Sequence, residues 1–289
     1  MRKSIAIIIT SILVLSGCNK QQSVFDRLLN EVEKAIAINP DSASNLLKSI
    51  SSPEKLDDKA FARWCMLSGK ITDEIFNSIL PTYQLERAYD WYSSHGSPDE
   101  QVQILIYLGR SYFADGDYDK AMSIYTNALD IAGKNKLNNL IGYTYDYIGD
   151  LYREKFMRTE AIKRYEIAAE YFKKEKNTDS YACALRDIGR EYAQMDSLSH
   201  ALNILIIADS VAANTSNINV TASINNALGN IYSMQNKYDK AEEYLLKALL
   251  TGREKMPDYV ALIDLYTASN SINKAKELLS KIPQDTPQY

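Results

Sequence analysis

Three pairs of polar side chains combine residue type and spacing in a way that suits ligand binding. The members of each pair stand four residues apart, and the pairs follow one another at a constant interval of forty residues. They are Asp146 with Asp150, Arg186 with Arg190, and Asn226 with Asn230. Residues four apart share one face of an α-helix. A guanidinium group binds a carboxylate through two parallel hydrogen bonds, and an asparagine amide can bind a peptide backbone. The pairs therefore predict a polar surface suited to an extended peptide.

The same charges also allow a purely structural interpretation. If the helices that carry them are neighbours, Asp146 and Asp150 would pair with Arg186 and Arg190 across the two helices. Exposed ion pairs of this kind contribute about 0–1 kcal/mol each. The polar surface would then hold its own helices together and bind nothing, and the sequence leaves both interpretations open.

Residues that commonly carry catalysis or metal ions are few and scattered. The only histidines, His95 and His200, are more than two of these intervals apart. Cys65 and Cys183 are about three intervals apart, too far for a disulfide across packed helices. The sequence has no cysteine pair with zinc-binding spacing, and no phosphate loop, dinucleotide fingerprint or nucleophile elbow. We therefore expect no enzymatic activity, no cofactor and no metal ion.

The N-terminal residues have the features of an export signal. Two basic residues precede the apolar run Ile5–Leu15, which is shorter than the roughly 20 residues that a membrane span needs. Leu15-Ser16-Gly17-Cys18 follows and resembles the lipobox of bacterial lipoproteins. This resemblance implies removal of a signal peptide at 1–17, acylation of Cys18, and a tether over 18–23. Asn19 favours the outer over the inner membrane, so we expect a lipid-anchored, periplasm-facing protein of the cell envelope. An ordinary signal peptide that happens to end near a cysteine is the alternative.

The elements that must hold the polar pairs repeat with the same period of forty residues. Each copy has a glycine, a tyrosine three positions later, and two alanines, twelve and nineteen positions after the glycine. The glycines are Gly109, Gly149, Gly189 and Gly229. Apolar residues spaced 3, 4 and 7 apart form one stripe of an α-helix, so each copy predicts two helices, A and B. The small residues let the two helices approach closely, and one hairpin must stack on the next to bury its faces.

This pattern resembles the tetratricopeptide repeat family, although the unit is longer than the usual length of about 34 residues. The resemblance implies an all-α fold, a right-handed superhelix (solenoid) of helix hairpins. It covers residues 24–283, clearly over 102–250 and in degenerate form over 24–101 and 251–283, and leaves 284–289 as a tail. In the degenerate part, Gly69 is in register with the motif glycines. Pro81 takes the place of the first alanine, inside the first turn of a helix B.

The family resemblance also implies a function. Helix A lines the concave face in this family, so Arg110 and Arg153 join the three pairs as candidate peptide-groove residues. We expect a scaffold that binds a protein or peptide. The alternatives are a sensory module that docks onto a signalling partner, and a glycan-uptake lipoprotein, which would use exposed tryptophans such as Trp64 and Trp91. The formal net charge of −4 gives no overall field that favours nucleic acid.

Overall fold

The computed structural model describes residues 24–75, 79–253 and 255–282. Every regular element in these ranges is a helix, which confirms the predicted all-α class. The chain divides into two compact units, Met1–Asn135 (unit 1) and Lys136–Tyr289 (unit 2). The predicted signal peptide, Cys18 and the tether all lie outside the described residues.

Unit 1 is built from antiparallel helices that pack on their neighbours in the sequence. Asn39 caps the second helix by accepting a hydrogen bond from the Ser42 amide at 2.9 Å, and Pro40 occupies its first turn. A short 3₁₀ helix, Pro53–Lys55, precedes the third helix. The α-helices are α1 (24–36), α2 (Pro40–Lys48), α3 (Asp58–Ile75), α4 (Thr82–His95), α5 (Pro98–Ala114) and α6 (Tyr118–Lys134).

Unit 2 continues the same plan with four further hairpins. Its helices are α7 (Asn138–Glu154), α8 (Arg158–Lys174), α9 (Thr178–Gln194), α10 (Leu198–Ala212), α11 (Ile218–Met234), α12 (Tyr238–Thr251), α13 (Met256–Ala268) and α14 (Ile272–Lys281). Each odd-numbered helix packs against the even-numbered helix that follows it. In addition, α9 contacts α11 and α11 contacts α13, so the first helices of successive hairpins form one layer.

The sequence period is visible in the helix boundaries. The first helices of the four clear repeats, α5, α7, α9 and α11, are each 17 residues long and start one period apart. Each motif glycine touches the large residue of its own helix B, as predicted. The contacts are Gly109 with Tyr125, Gly149 with Tyr165, Gly189 with Leu205, and Gly229 with Leu245. All four large residues are almost completely buried.

The turn from helix A to helix B has one backbone conformation in the four clear repeats. One turn residue has a positive φ: 78° at Gly116, 57° at Phe156, 58° at Asp196 and 56° at Asn236. The next amide donates a hydrogen bond of 2.8–2.9 Å to the carbonyl of the motif tyrosine, which completes a Schellman motif. Glycine adopts this conformation freely, and asparagine and aspartate tolerate it better than other residues do.

Two details of the degenerate repeat in unit 1 differ from the sequence prediction. Pro81 does not lie inside a helix: it is the N-cap of α4, which begins at Thr82. Proline can precede a helix, so α4 starts one turn later than the B helices of the clear repeats. Gly69 is a close-packing position, but the side chain above it is Tyr107 of α5, not a residue of its own helix B.

Candidate functional site

A groove with a volume of about 810 Å³ lies over the layer of first helices in unit 2. Its lining residues come from α7, α9, α11 and α13, from the turn between α7 and α8, and from the first residue of α8. Four of the candidate residues chosen from the sequence line it together: Arg153, Arg190, Asn226 and Asn230. The constant repeat length thus brings residues of three successive repeats to one surface, including the equivalent positions Arg190 and Asn230.

Arg186 is not among the groove residues and instead holds a neighbouring carboxylate in the packed layer. Its guanidinium donates to both oxygens of Asp187, at 3.0 Å from Nε and 2.6 Å from Nη2, and to Ser223 Oγ at 3.0 Å. Burial alone would raise the pKa of Asp187. The positive charge and hydrogen bonds of Arg186, supported by Arg190, hold that pKa below 3.8. Arg186 is therefore structural.

The predicted pairing of Asp146 and Asp150 with the two arginines of α9 is wrong. Asp150 pairs with Arg153 of its own helix at 2.8 Å and accepts a hydrogen bond from the Tyr165 hydroxyl at 2.7 Å. Burial raises the pKa of Asp150 in spite of Arg153. Asp187, which directly follows Arg186 in the sequence, takes the partner role that had been assigned to the two aspartates of α7.

Asp146 is the least compensated acid of this layer. Its Oδ1 atom is buried and has no hydrogen-bond partner among the residues that the structure describes. Burial, followed by the negative charges of Asp150 and Asp187, raises the pKa of Asp146 well above 3.8. Asp146 belongs to α7, in the layer of first helices that carries the groove, but it does not line the groove.

Arg190 is an incompletely neutralised cation that faces the groove. Its side chain is 42% exposed, and its contact with Asp187 is long, at 3.5 Å, because Arg186 already binds that carboxylate at two points. Partial burial and the positive charges of Arg186 and Arg153 lower the pKa of Arg190 to about 10. A negatively charged group in the groove would stabilise this guanidinium.

Asn226 and Asn230 also line the groove, and the buried Asp258 holds the amide of Asn226 from behind. Asn226 donates from Nδ2 to Asp258 Oδ1 at 2.6 Å, and Asn230 donates to Asn226 Oδ1 at 3.0 Å. Asn226 and Asp258 are buried, which fixes the amide of Asn226, whereas Asn230 is exposed at the surface of the groove. Asn230 is therefore the asparagine of the pair that can reach a ligand.

Arg158, Glu191 and Phe156 are among the groove residues that the sequence analysis missed. Arg158, in the first turn of α8, forms an ion pair of 3.0 Å with Glu191, whose side chain is only 2% exposed. Phe156, in the preceding turn, is 79% exposed and also lines the groove. A signal for Phe156 was present, since the equivalent turn residues are glycine, aspartate and asparagine.

Arg110 lies in unit 1 and belongs to a different cluster. It forms an ion pair with Asp73, and its guanidinium carbon lies 5.9 Å from the centre of the Tyr107 ring. The Tyr107 hydroxyl donates to the same aspartate at 3.0 Å. These contacts join α3 to α5 and give Arg110 a structural role within its unit.

The residues considered for catalysis and for glycan binding have packing contacts. His95 ends α4 and stacks on Trp91, and Trp64 stacks on Phe61; both tryptophans are half-buried. Cys65 and Cys183 are free thiols, and burial raises the pKa of each. In the part of the chain that the structure describes, no group of three His, Cys, Asp or Glu side chains could hold a metal ion. The lack of enzymatic activity stays a prediction.

Among residues 24–75, 79–253 and 255–282, no helix is both long enough and apolar enough to cross a bilayer.

Comparison with known sequences identifies the repeats. Two sequence models of the tetratricopeptide repeat match residues 105–138 and 221–256. The chain contains tetratricopeptide repeats. A stretch of 91 residues is also 32% identical to the Photosystem I assembly protein Ycf3 of Rippkaea orientalis, and it makes up 31% of this chain and 52% of that protein. The matched stretch of this chain thus spans about half the length of the relative.

Solved structures share the fold at low sequence identity. A Rap protein complexed with Competence and Sporulation Factor has a TM-score of 0.73 at 18% identity, over 89% of this chain and 74% of that one. BtubC (BKLC) from P. vanneervenii has a TM-score of 0.58 at 17% identity, over 72% and 94%. The apo quorum sensor NprR from B. thuringiensis has a TM-score of 0.57 at 15% identity, over 90% and 75%. These similarities support the tetratricopeptide-type helical fold.

Proposed function

We propose that this tetratricopeptide-repeat protein is a membrane-anchored scaffold that binds an extended peptide, or an extended segment of a partner protein, in the groove of unit 2. The observation that carries the proposal is the groove itself, because it gathers Arg153, Arg190 and Asn230 from three successive repeats. A surface assembled from rigid, packed helices avoids part of the ordering cost of binding. The fold shared with a Rap protein that was crystallised with Competence and Sporulation Factor supports this reading.

The groove lining contains carboxylates as well as arginines, among them Glu154 and Asp264. Its incompletely paired arginine, Arg190, favours a partner with an acidic group. Arg190 has a single long contact with Asp187, and neighbouring positive charges destabilise its guanidinium. A carboxylate from the partner would supply charge-assisted hydrogen bonds that Asp187 does not. Asn230 stands on the adjacent first helix and offers an amide of the kind that binds an extended backbone.

The proposed anchor rests on the N-terminal sequence. The lipobox-like Leu15-Ser16-Gly17-Cys18 predicts a lipidated cysteine at the start of the segment 18–23, which would serve as the tether. Several acyl chains on one N-terminus give stable anchoring, whereas one chain alone is marginal. We propose that the scaffold faces the periplasm from the outer membrane.

Peptide selection followed by groove variants tests the binding function. The full chain, purified in detergent, would be used to select binders from a random dodecapeptide phage library, and the enriched peptides would be synthesised with a fluorescent label. Loss of one hydrogen bond to a charged group costs about 1.5–3 kcal/mol. Arg190→Ala should therefore weaken binding by about 10-fold or more, and Asn230→Ala should weaken it to a smaller extent.

Lys247→Ala is the matched control, because Lys247 is a 52%-exposed cation of α12 that does not line the groove. It should leave the fluorescence-anisotropy Kd unchanged. Equal affinity of the wild-type chain, both groove variants and the control would refute the groove, and so would a selection that enriches no peptide.

A further inference from the structure

The turn between α7 and α8 contains a residue that neither backbone conformation nor core packing explains. Phe156 has φ 57°, in the left-handed region that is an outlier for a bulky side chain. The equivalent residues are Gly116, Asp196 and Asn236, all of types that tolerate this region. At the turn from helix A to helix B, only the second of the four clear repeats has a bulky residue in this region, although Lys136 and Lys176 have a similar positive φ in turns from a helix B to the next helix A.

Burial does not compensate for this strain. The Phe156 side chain is 79% exposed, so it contributes little to the hydrophobic core. The Arg158 guanidinium carbon lies 5.9 Å from the ring centre, at the outer limit of a cation–π contact, and Arg158 is already paired with Glu191. Backbone strain that the fold does not need is a recognised mark of functional positions.

The location of Phe156 connects this strain with the groove. Its ring lines the same groove as Arg153, Arg190 and the 47%-exposed Met234. We infer that Phe156 is the specificity contact of the groove, which selects an apolar side chain standing next to an acidic group in an extended peptide. This inference rests on the proposed function. Aromatic residues are enriched among the dominant contacts of protein interfaces.

The conformation of the turn allows a test in which stability and binding move in opposite directions. Phe156→Asn introduces the residue that the fourth repeat carries at the equivalent position, Asn236. Relief of left-handed strain should raise the Tm of the full chain in detergent by about 2–4 °C. The same substitution should weaken binding of the selected peptides by about 10-fold, and those peptides should carry a Leu, Ile, Phe or Met within two residues of an Asp or Glu.

Two further variants separate recognition from folding. Phe156→Tyr keeps both the aromatic ring and the strain, so it should retain the wild-type Kd. Asp196→Asn makes a mild change at the equivalent turn of the next repeat and should also leave the Kd unchanged. If Phe156→Asn binds as the wild type does while Arg190→Ala is impaired, the inference is overturned and the proposed function stands. If neither variant is impaired, both fail. Enriched peptides without the apolar and acidic combination would also overturn the inference.

Discussion

Gly149→Ala tests the close packing on which each hairpin depends. A Cβ atom at position 149 would lie 2.7 Å from Cδ1 and 2.9 Å from Cζ of Tyr165. Tyr165 is fully buried, and its hydroxyl donates to Asp150 at 2.7 Å while accepting from Arg153 at 3.3 Å. The ring therefore cannot move aside without weakening these hydrogen bonds.

The net change in the free energy of unfolding follows from two destabilising effects and one stabilising effect. Overpacking of a dense core costs about 1–3 kcal/mol, and loss of one buried hydrogen bond adds about 1 kcal/mol. The higher helix propensity of alanine returns about 1 kcal/mol. Gly149→Ala should therefore destabilise unit 2 by about 2 kcal/mol, which corresponds to a fall in Tm of about 4–8 °C in a unit of this size. Circular dichroism during thermal unfolding would measure it.

Gly133→Ala is the matched control for this prediction. Gly133 also lies in a helix, α6, but no atom beyond its chain neighbours and the nearby backbone of its own helix lies within 4 Å of a Cβ placed there, among the residues that the structure describes. The control should be neutral or more stable than the wild-type chain by up to about 1 kcal/mol. A stability of Gly149→Ala equal to or above that of the wild type would refute the close contact with Tyr165.

Further predictions concern the charged layer and the anchor. Arg186→Ala should destabilise the fold by about 3 kcal/mol in urea denaturation, because it leaves Asp187 buried without its two-point partner. Asp146→Asn should stabilise the fold at neutral pH, since the raised pKa of Asp146 means that its ionised form is disfavoured in the folded state. That advantage should vanish as the pH falls through the raised pKa to below 3.8, and an advantage independent of pH would contradict the assignment. Cys18→Ala should abolish metabolic labelling with a fatty acid and release the chain from the membrane fraction; retained labelling would refute the lipid anchor.

The helical framework could be predicted because its signals are local and repeated. Gly149 and Tyr165 stand on the two helices of one hairpin, and the same combination recurs at 109 and 125, with leucine replacing tyrosine at 205 and 245. A small residue opposite a large one fixes how two helices approach, and the period places the next pair. The sequence could therefore indicate that Arg190 and Asn230 occupy equivalent positions.

The partners of the charged residues could not be predicted in the same way. Spacing shows that Arg186 and Arg190 share a face, but it does not show how far each side chain turns towards the next helix. Asp187 is adjacent to Arg186 and was overlooked because residues one apart do not usually face each other on a helix. The long arginine side chain reaches that carboxylate because both are enclosed between α9 and its neighbours.

Phe156 was missed for a different reason. Helical periodicity describes residues that are buried, whereas Phe156 is an exposed turn residue outside both helical stripes. It stands out only when the residue types at this positive-φ position are compared, because the equivalent residues include Gly116 and Asn236.

Photo-crosslinking in living cells is the most direct test of the groove. A photoreactive phenylalanine analogue would replace Gln194, an exposed lining residue, or, as a control, Glu243, an exposed residue of α12 that does not line the groove. We predict a discrete adduct from position 194 that is absent from position 243 and is lost when Arg190→Ala is added. Equal crosslinking from both positions, or an adduct from 194 that survives Arg190→Ala, would contradict binding in the groove.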